Sequence, residues 1–545
     1  MSGCFFNNLY LSAYYSSQKG YQMKRLLVIA ALLTISLGMD AQDKADEKIN
    51  TLIRKQGLEQ SKVMDYAFYL TDVYGPRLTG SDMTDKAVAW ATDELKKMGM
   101  QNVHTEEWGP FGRGWELNHF EMHNLAPTYY PMIGYPKAWT GSTNGQVTGE
   151  VIYINASTEG ELEKYKGKLG GKIILLDTLR EIKEWFEPSG KRYEAERLLE
   201  LANSGKPNQM GRGNFPKNFG GGGSFTTKIW ALINEEQPLA VLDRSFKGDL
   251  GTVFVSGARA KQGLRVQDKN AVVIPQVTVS VEQYNRIFRQ INAGIPVKVS
   301  LDLKTTYTNP SGMEYNIIAE IPGTDLKDEI VMFGAHFDSW HSATGATDNA
   351  AGSSVMIEAA RILLETIKES GIPPRRTLRL ALWTGEEQGL LGSRAYVNKH
   401  LVTRDTNNTI REIHPEQGKI SAYYNLDNGT GKIRGIYLQG NEQVAPSFRS
   451  WLDAFKDLGA TTLSLQNTGG TDHLSFDGVG VPGFQFIQDE ISYSSKTHHS
   501  NMDTWDHLIA DDLKQASTII ASFVYHTAQR SEKLPRKTQP KVESN

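Results

Sequence analysis

The stretch "GAHFDSWHSATGATDNAAG", Gly334–Gly352, decides the reading of this chain. It begins at the end of an apolar run, "IVMFGA", and ends where a helical pattern opens. In "AGSSVMIEAARILLETIK" the residues Val355, Met356, Ala359, Ile362, Leu363 and Ile367 form one apolar stripe, the spacing of an amphipathic helix. Between strand and helix stand His336, Asp338, His341 and Asp348, four groups able to ligate or orient a metal.

The surroundings repeat this unit. Strand-like runs occur at 315–321, 329–336, 377–384, 420–427, 435–440 and 483–488, with helical runs between several of them. Near-continuous apolar strands alternating with helices predict an α/β fold, a mixed, mostly parallel sheet with helices on both faces. In such sheets ligands gather beyond the carboxyl ends of the strands. That edge is where the chemistry falls. His336 ends one strand, Asp427 another, Glu386 and Glu387 follow a third, and His498 and His499 lie in the loop after "GFQFIQ".

His336, Asp348, Glu387, Asp427 and one of the histidines 498/499 make a nitrogen and oxygen donor set without sulfur, suited to zinc, with manganese or cobalt also possible. Five donors exceed the need of one tetrahedral ion and suit two if Asp348, just before a helix, bridges. One carboxylate of the Glu386-Glu387 pair would then ligate and the other accept a proton from water. Asp338, two residues past His336, is expected to reach the far ring nitrogen of that histidine. Each group alone has a plainer reading: Asp348 as a helix cap, the glutamate pair as solvated surface, a histidine as a structural polar residue. Their convergence on one sheet edge favours the site.

Upstream the texture differs. "DMTDKAVAWATDELKKMG" predicts a helix capped by Ser81 or Asp82 and closed by Gly99, followed by a strand in "NVHTEEW". From about 125 to 303, short β runs alternate with glycine-rich turns, the clearest being 149–154, 171–177, 239–243 and 251–257. The glycine-rich run Gly211–Phe225 lacks the Lys-Ser/Thr that follows a phosphate loop and reads as a surface loop. Net charge is −3 with no basic stripe, which argues against nucleic acid or anionic lipid as partner. At the N-terminus, Lys24 and Arg25 precede the apolar run Leu26–Leu37 and then Ala41, the pattern of a cleaved export signal, for which Met23 would serve as a start. Cys4 is the only cysteine, so disulfides, thiolate metal sites and a lipid-modified cysteine are not expected in the processed chain.

The motifs "NIIAEIPG", "GAHFDSW", "GATDNAAG", "LWTGEEQGLLGS", "NLDNGTG", "GGTDHLSF" and "HHSNMDT" resemble, in order and spacing, the M28 family of zinc exopeptidases, and within it the carboxypeptidase Q-like members. The resemblance implies two zinc ions held by His336, Asp348, Glu387, Asp427 and His499, with Asp348 bridging and Glu386 as general base. It prefers His499 to His498 through the pattern continued by Ser500, Asp503 and Thr504, and it places Asp472 and His473 near the substrate. It also implies an inserted protease-associated domain. The expected organisation is a signal peptide at 1–41, the catalytic domain in two pieces at 42–124 and 304–532, the insert at 125–303 and a flexible tail at 533–545. His341 and Asn349 depart from the carboxypeptidase Q-like pattern, which tends to have Asp at both positions; His341 is read as a polar group at the cleft mouth or as nothing. The implied activity is hydrolysis of short peptides by an exported periplasmic or secreted enzyme without a membrane anchor, acting from the N-terminus. Should the enzyme instead be a carboxypeptidase or dipeptidase, Arg212 and Arg394 are candidate anchors for the substrate carboxylate. A single-zinc glutaminyl cyclase or a non-catalytic receptor-like relative would share the fold, but neither would need all five ligands.

Overall fold

The computed structural model of the chain describes residues 44–207, 224–537, 539–540 and 542. The expected leader, Cys4, Arg212 and most of the glycine-rich run lie outside the described residues.

Eight strands form the first sheet, in the order Gln101–Trp108, Glu314–Ile321, Arg376–Trp383, Leu326–His336, Ile420–Asn425, Gly483–Gln488, Ile433–Tyr437 and Thr462–Ser464. The four central strands run parallel, and antiparallel pairs flank them. Because successive strand residues point to opposite faces, an unbroken apolar strand must be covered twice. Val331, Phe333 and Ala335 pack with the helices Ala351–Ser370 and Ala510–Gln529, whereas Ile330 and Met332 pack with Tyr396, Val397 and Phe476 on the other face. The expected α/β class, with helices on both faces, is what the chain adopts. The helix Asp82–Met98 is capped by the Ser81 hydroxyl, which accepts from the Thr84 N–H, and closes on Gly99 in the left-handed region.

A second sheet of eight strands is entered through Glu116–Ala126 and left through Lys298–Thr306. The strands Val147–Tyr153, Ile173–Leu175, Ala240–Arg244 and Gln276–Val279 lie parallel within it, between the helices Val281–Asn292 and Ser224–Glu236. At the crossing the two linkers pair, Phe111 N–H to the Gly312 carbonyl at 2.8 Å and Gly114 N–H to that of Thr308 at 3.0 Å. An aromatic cluster of Trp108, Phe111, Trp115 and Trp139 fills the junction.

Two expectations change. The run 251–257, rich in β-branched and aromatic residues, is not a sheet strand. It makes single bridges, Phe254 to Ser500 and Gly257 to Ala138, and it also bonds the backbones of His499 and Asn501, so most of its partners come from the loop after the strand Gly483–Gln488. Residues 533–537, expected within a flexible tail, pack back onto the sheet: Leu534 is 2% exposed, and Arg536 Nη2 donates to the Gln417 carbonyl at 2.7 Å.

Candidate metal centre

The parallel strands deliver His336, the Glu386-Glu387 turn and Asp427 to one edge, and two loops add Asp348 and His499. Asp348 sits at the middle. Its Oδ1 is 3.3 Å from His336 Nε2, which is also 3.3 Å from Asp427 Oδ1. Its Oδ2 is 3.2 Å from His499 Nε2, which is 2.9 Å from Glu387 Oε2. The cluster is therefore two half-sites, His336 with Asp427 and His499 with Glu387, sharing one carboxylate. Two other triples, His336/Asp348/Glu387 and Asp348/His498/His499, also hold their donor atoms within 4.8 Å of one another. His498 is the more distant histidine, 3.8 Å from Asp348 and more exposed than His499.

Local sequence explains why Asp348 is free to do this. The side chain that caps the following helix is Asn349, whose Oδ1 accepts the Gly352 N–H at 2.9 Å while its Nδ2 donates to the Leu426 carbonyl at 3.0 Å. The plain reading of Asp348 as a cap thus belongs to its neighbour. Asp503 holds the loop from outside, taking the Thr347 N–H at 2.6 Å and the Asp348 N–H at 3.1 Å.

Asp338 reaches the far ring nitrogen of His336 with its backbone carbonyl and, at longer range, its carboxylate. His336 Nδ1 is 3.1 Å from the backbone carbonyl of Asp338 and 3.5 Å from its carboxylate. The carboxylate also accepts the N–H groups of Glu386 at 3.2 Å and Glu387 at 3.3 Å and the Thr79 hydroxyl at 2.8 Å. It fixes the glutamate turn more than the imidazole. That turn needs Gly385: its φ is +72°, and a Cβ there would meet the Trp108 ring at 2.7 Å.

The segment "GPRLTGS" completes the site from the other side of the insert. Arg77 is fully buried, and its guanidinium donates to the carbonyls of Phe337 at 2.8 Å, Thr344 at 2.9 Å and Gly345 at 3.0 Å. Tyr493 is a residue that sequence reasoning missed. Its ring packs on His498 with centroids 4.8 Å apart, and burial together with the nearby carboxylates Asp348, Asp427 and Glu387 pushes its hydroxyl well above the usual phenol range. Its place in the loop before the paired histidines was the available signal. His341 is anchored to the second unit: its Nε2 is 2.6 Å from the Pro136 carbonyl and its ring packs against Trp115.

The electrostatics are those of crowded carboxylates. Burial pushes Glu386 well above the usual carboxylate range, with Asp427, Asp472 and Glu387 adding to it against His336. Burial also raises Glu387, Asp472 and Asp503 to about 7. Burial alone would lower His336 and His499, yet Asp427 and Glu386 carry the first well above its ordinary value, and Glu387 and Asp348 carry the second up to about 10. Asp472 is fully buried and neither of its oxygens has a hydrogen-bond partner, while His473 is tied through Nε2 to the Thr468 carbonyl at 3.2 Å.

A cation fits this arrangement. Asp348 Oδ2 and Glu387 Oε1 are buried without a hydrogen-bond partner, and leaving a charged oxygen so would cost more than the ~1–3 kcal/mol of a neutral group. Divalent ions among His336, Asp427, Asp348, Glu387 and His499 would satisfy those oxygens with donors of the right type. The roomiest grooves lie elsewhere; one of about 590 Å³ runs beside Glu47 and Arg54. Donor chemistry, rather than volume, locates the site.

Residues 316–524 match the model of Peptidase family M28. Carboxypeptidase Q of Mus musculus is 26% identical over 498 residues, which cover 91% of this chain and 91% of that protein. Among solved structures, a peptidase M28 precursor from Shewanella amazonensis SB2B superposes with a TM-score of 0.64 at 23% identity, covering 92% of this chain and 100% of its own. A zinc aminopeptidase from Bacillus subtilis gives 0.52 at 19% identity, over 87% and 98% of the two chains. Both share the fold.

Proposed function

From the premise that the chain is a metallopeptidase with an M28 catalytic domain, we propose that it is an exported exopeptidase that holds two zinc ions and hydrolyses short peptides. One observation carries this reading: the two oxygens of Asp348 face separate histidine–carboxylate pairs. His336 and Asp427 would hold one ion and His499 and Glu387 the other, with Asp348 shared. Zinc, when bound, supplies Lewis acidity toward the scissile carbonyl and toward the attacking water.

The chain's own residues do the rest. Glu386, beside the cluster, accepts the proton of the attacking water and returns it to the leaving amine. Asp338 holds the Glu386 and Glu387 backbones, and Arg77 stitches the loop that carries Asp348. Export rests on Lys24, Arg25 and the apolar run after them. Among the described residues, no helix is long and apolar enough to cross a membrane. The second sheet is read as the inserted domain.

Glu386→Gln tests the assignment. It should lower kcat by at least ~10²-fold, the usual reach of general-base catalysis, with zinc content unchanged by metal analysis. Turnover near that of the parent would remove Glu386 from its role.

A further inference from the structure

We propose that Lys247, carried to the catalytic edge by the second sheet, binds the free α-carboxylate of the peptide and so restricts the enzyme to substrates whose C-terminus lies close to the cleaved bond. The inference deepens the peptidase reading above and rests on it.

Lys247 lies in the loop after the strand Ala240–Arg244, and that loop is built to hold it. The Ser245 hydroxyl donates to the Lys247 carbonyl at 2.7 Å and accepts the Phe254 N–H at 2.9 Å. The ammonium donates to the Ser494 carbonyl at 2.8 Å and stands 4.3 Å from the centre of the Phe254 ring. Ser494 belongs to the turn Tyr493–Thr497, which runs directly into His498 and His499. His499, into which that turn runs, stands 3.2 Å from Asp348 Oδ2 through its Nε2. The cation is therefore one turn of backbone from the shared carboxylate, and the two charges act on each other: burial lowers the Lys247 ammonium while Asp348 raises it.

What it lacks is an anion of its own. An ammonium carries three N–H donors; Ser494 takes one, and the Phe254 face offers no oxygen. Among the described residues, no carboxylate forms an ion pair with Lys247 within 4.0 Å. Two other candidate cations are placed differently. Arg77 is saturated by backbone carbonyls. Arg394 lines a separate groove with Glu106 and Lys399. A half-buried lysine left short of an acceptor beside a metal-type cluster is a place for a carboxylate, the group a short peptide presents next to its last amide bond. The rim of the loop is apolar: Phe246 is 58% and Leu250 88% exposed, and Trp185 is tied to Asp249 at 2.6 Å. This favours a terminal residue with an apolar side chain.

The test compares alanyl-phenylalanine with its C-terminal amide on the zinc-loaded full chain, in the parent, Lys247→Ala and Lys247→Arg. A charge-assisted hydrogen bond predicts a KM about 10- to 100-fold lower for the acid than for the amide in the parent. In Lys247→Ala the two should fall within about twofold of each other, with the loss in KM rather than kcat. Lys247→Arg should restore most of the preference. A lysine that only ties the loop to the turn would impair acid and amide alike; that result, or an unchanged preference for the acid in Lys247→Ala, overturns the assignment. If the zinc-loaded parent cleaves neither compound nor longer peptides, the peptidase reading itself fails and takes this one with it.

Discussion

Replacing Asn501 with alanine should weaken one metal half-site and spare the other. Asn501 Oδ1 accepts the Val253 N–H at 2.7 Å, and its Nδ2 donates to the Gly251 carbonyl at 3.3 Å. Two residues on, Val255 N–H donates to the His499 carbonyl at 2.9 Å. His499 itself has φ +60°, a strained region for a residue other than glycine, so its loop depends on such outside contacts. Val253 is fully buried, and stripping its N–H of the acceptor costs about 1–3 kcal/mol. If all of that loosens the docked loop, the apparent affinity of the His499/Glu387 half falls by up to ~5- to 150-fold, since 1.4 kcal/mol is tenfold. The His336/Asp427 half, seated on strand ends, should hold its ion as before. Competition with a chromophoric chelator would show one zinc equivalent released early and the other late, and a thermal melt would confirm that the fold persists. Equal weakening of both equivalents, or none, would refute the idea that the second sheet positions His499.

Two further outcomes follow from the same geometry. Asn349→Ala removes the cap of the helix after Asp348 and should cost about 1–2 kcal/mol, a fall of roughly 1–2 °C in Tm per kcal/mol for a chain of this length; an unchanged melt would show the cap to be dispensable. The metal-free protein should also lose stability as pH rises. Glu387, Asp472 and Asp503 stand at about 7, and His499 at about 10. The folded state then holds more protons than the unfolded chain, from about pH 4 to 7 for the carboxyls and from about 6.5 to 10 for the histidine, so their contribution is lost across those windows. Zinc needs the ligating groups deprotonated. The gap in Tm between zinc-loaded and metal-free protein should therefore widen from about pH 5.5 to about pH 8, and a constant gap would contradict the protonation scheme.

How much of this was legible in the sequence depended on how local each cause is. Strand ends were readable because "IVMFGA", "LRLALW" and "GFQFIQ" are apolar almost without a break, and such a strand has one place in a sheet covered on both sides. The candidate donor residues could be picked out because they stand at or near those ends. The division of labour between neighbours was not. Asp348 and Asn349 are both cap formers, and the sequence has no preference between them; the backbone at 348, with φ −135° and ψ 84°, turns one side chain to the helix and the other to the metal edge. Asp338 is similar. An H-x-D spacing brings both the carboxylate and the backbone carbonyl near the imidazole, and the N–H groups of Glu386 and Glu387, supplied by another strand, draw the carboxylate away.

The run 251–257 shows the limit most clearly, and it also shows why the second sheet matters to the chemistry. Its residues have strand propensity, and propensity reports only that a segment will be extended and half-buried. It does not name the partner. Here the partners of 253–255 are Ser500, Asn501 and the carbonyl of His499, so the middle of the segment spends its hydrogen bonds on the loop of a candidate ligand, while its end bonds Ala138. The adjoining loop places Lys247 against the same turn. A unit attached only through its linkers would leave that loop to solvent. One docked by these contacts ties the geometry of the His499 half-site to its own folding, and destabilising the second sheet should therefore register in metal affinity before it registers in the catalytic core.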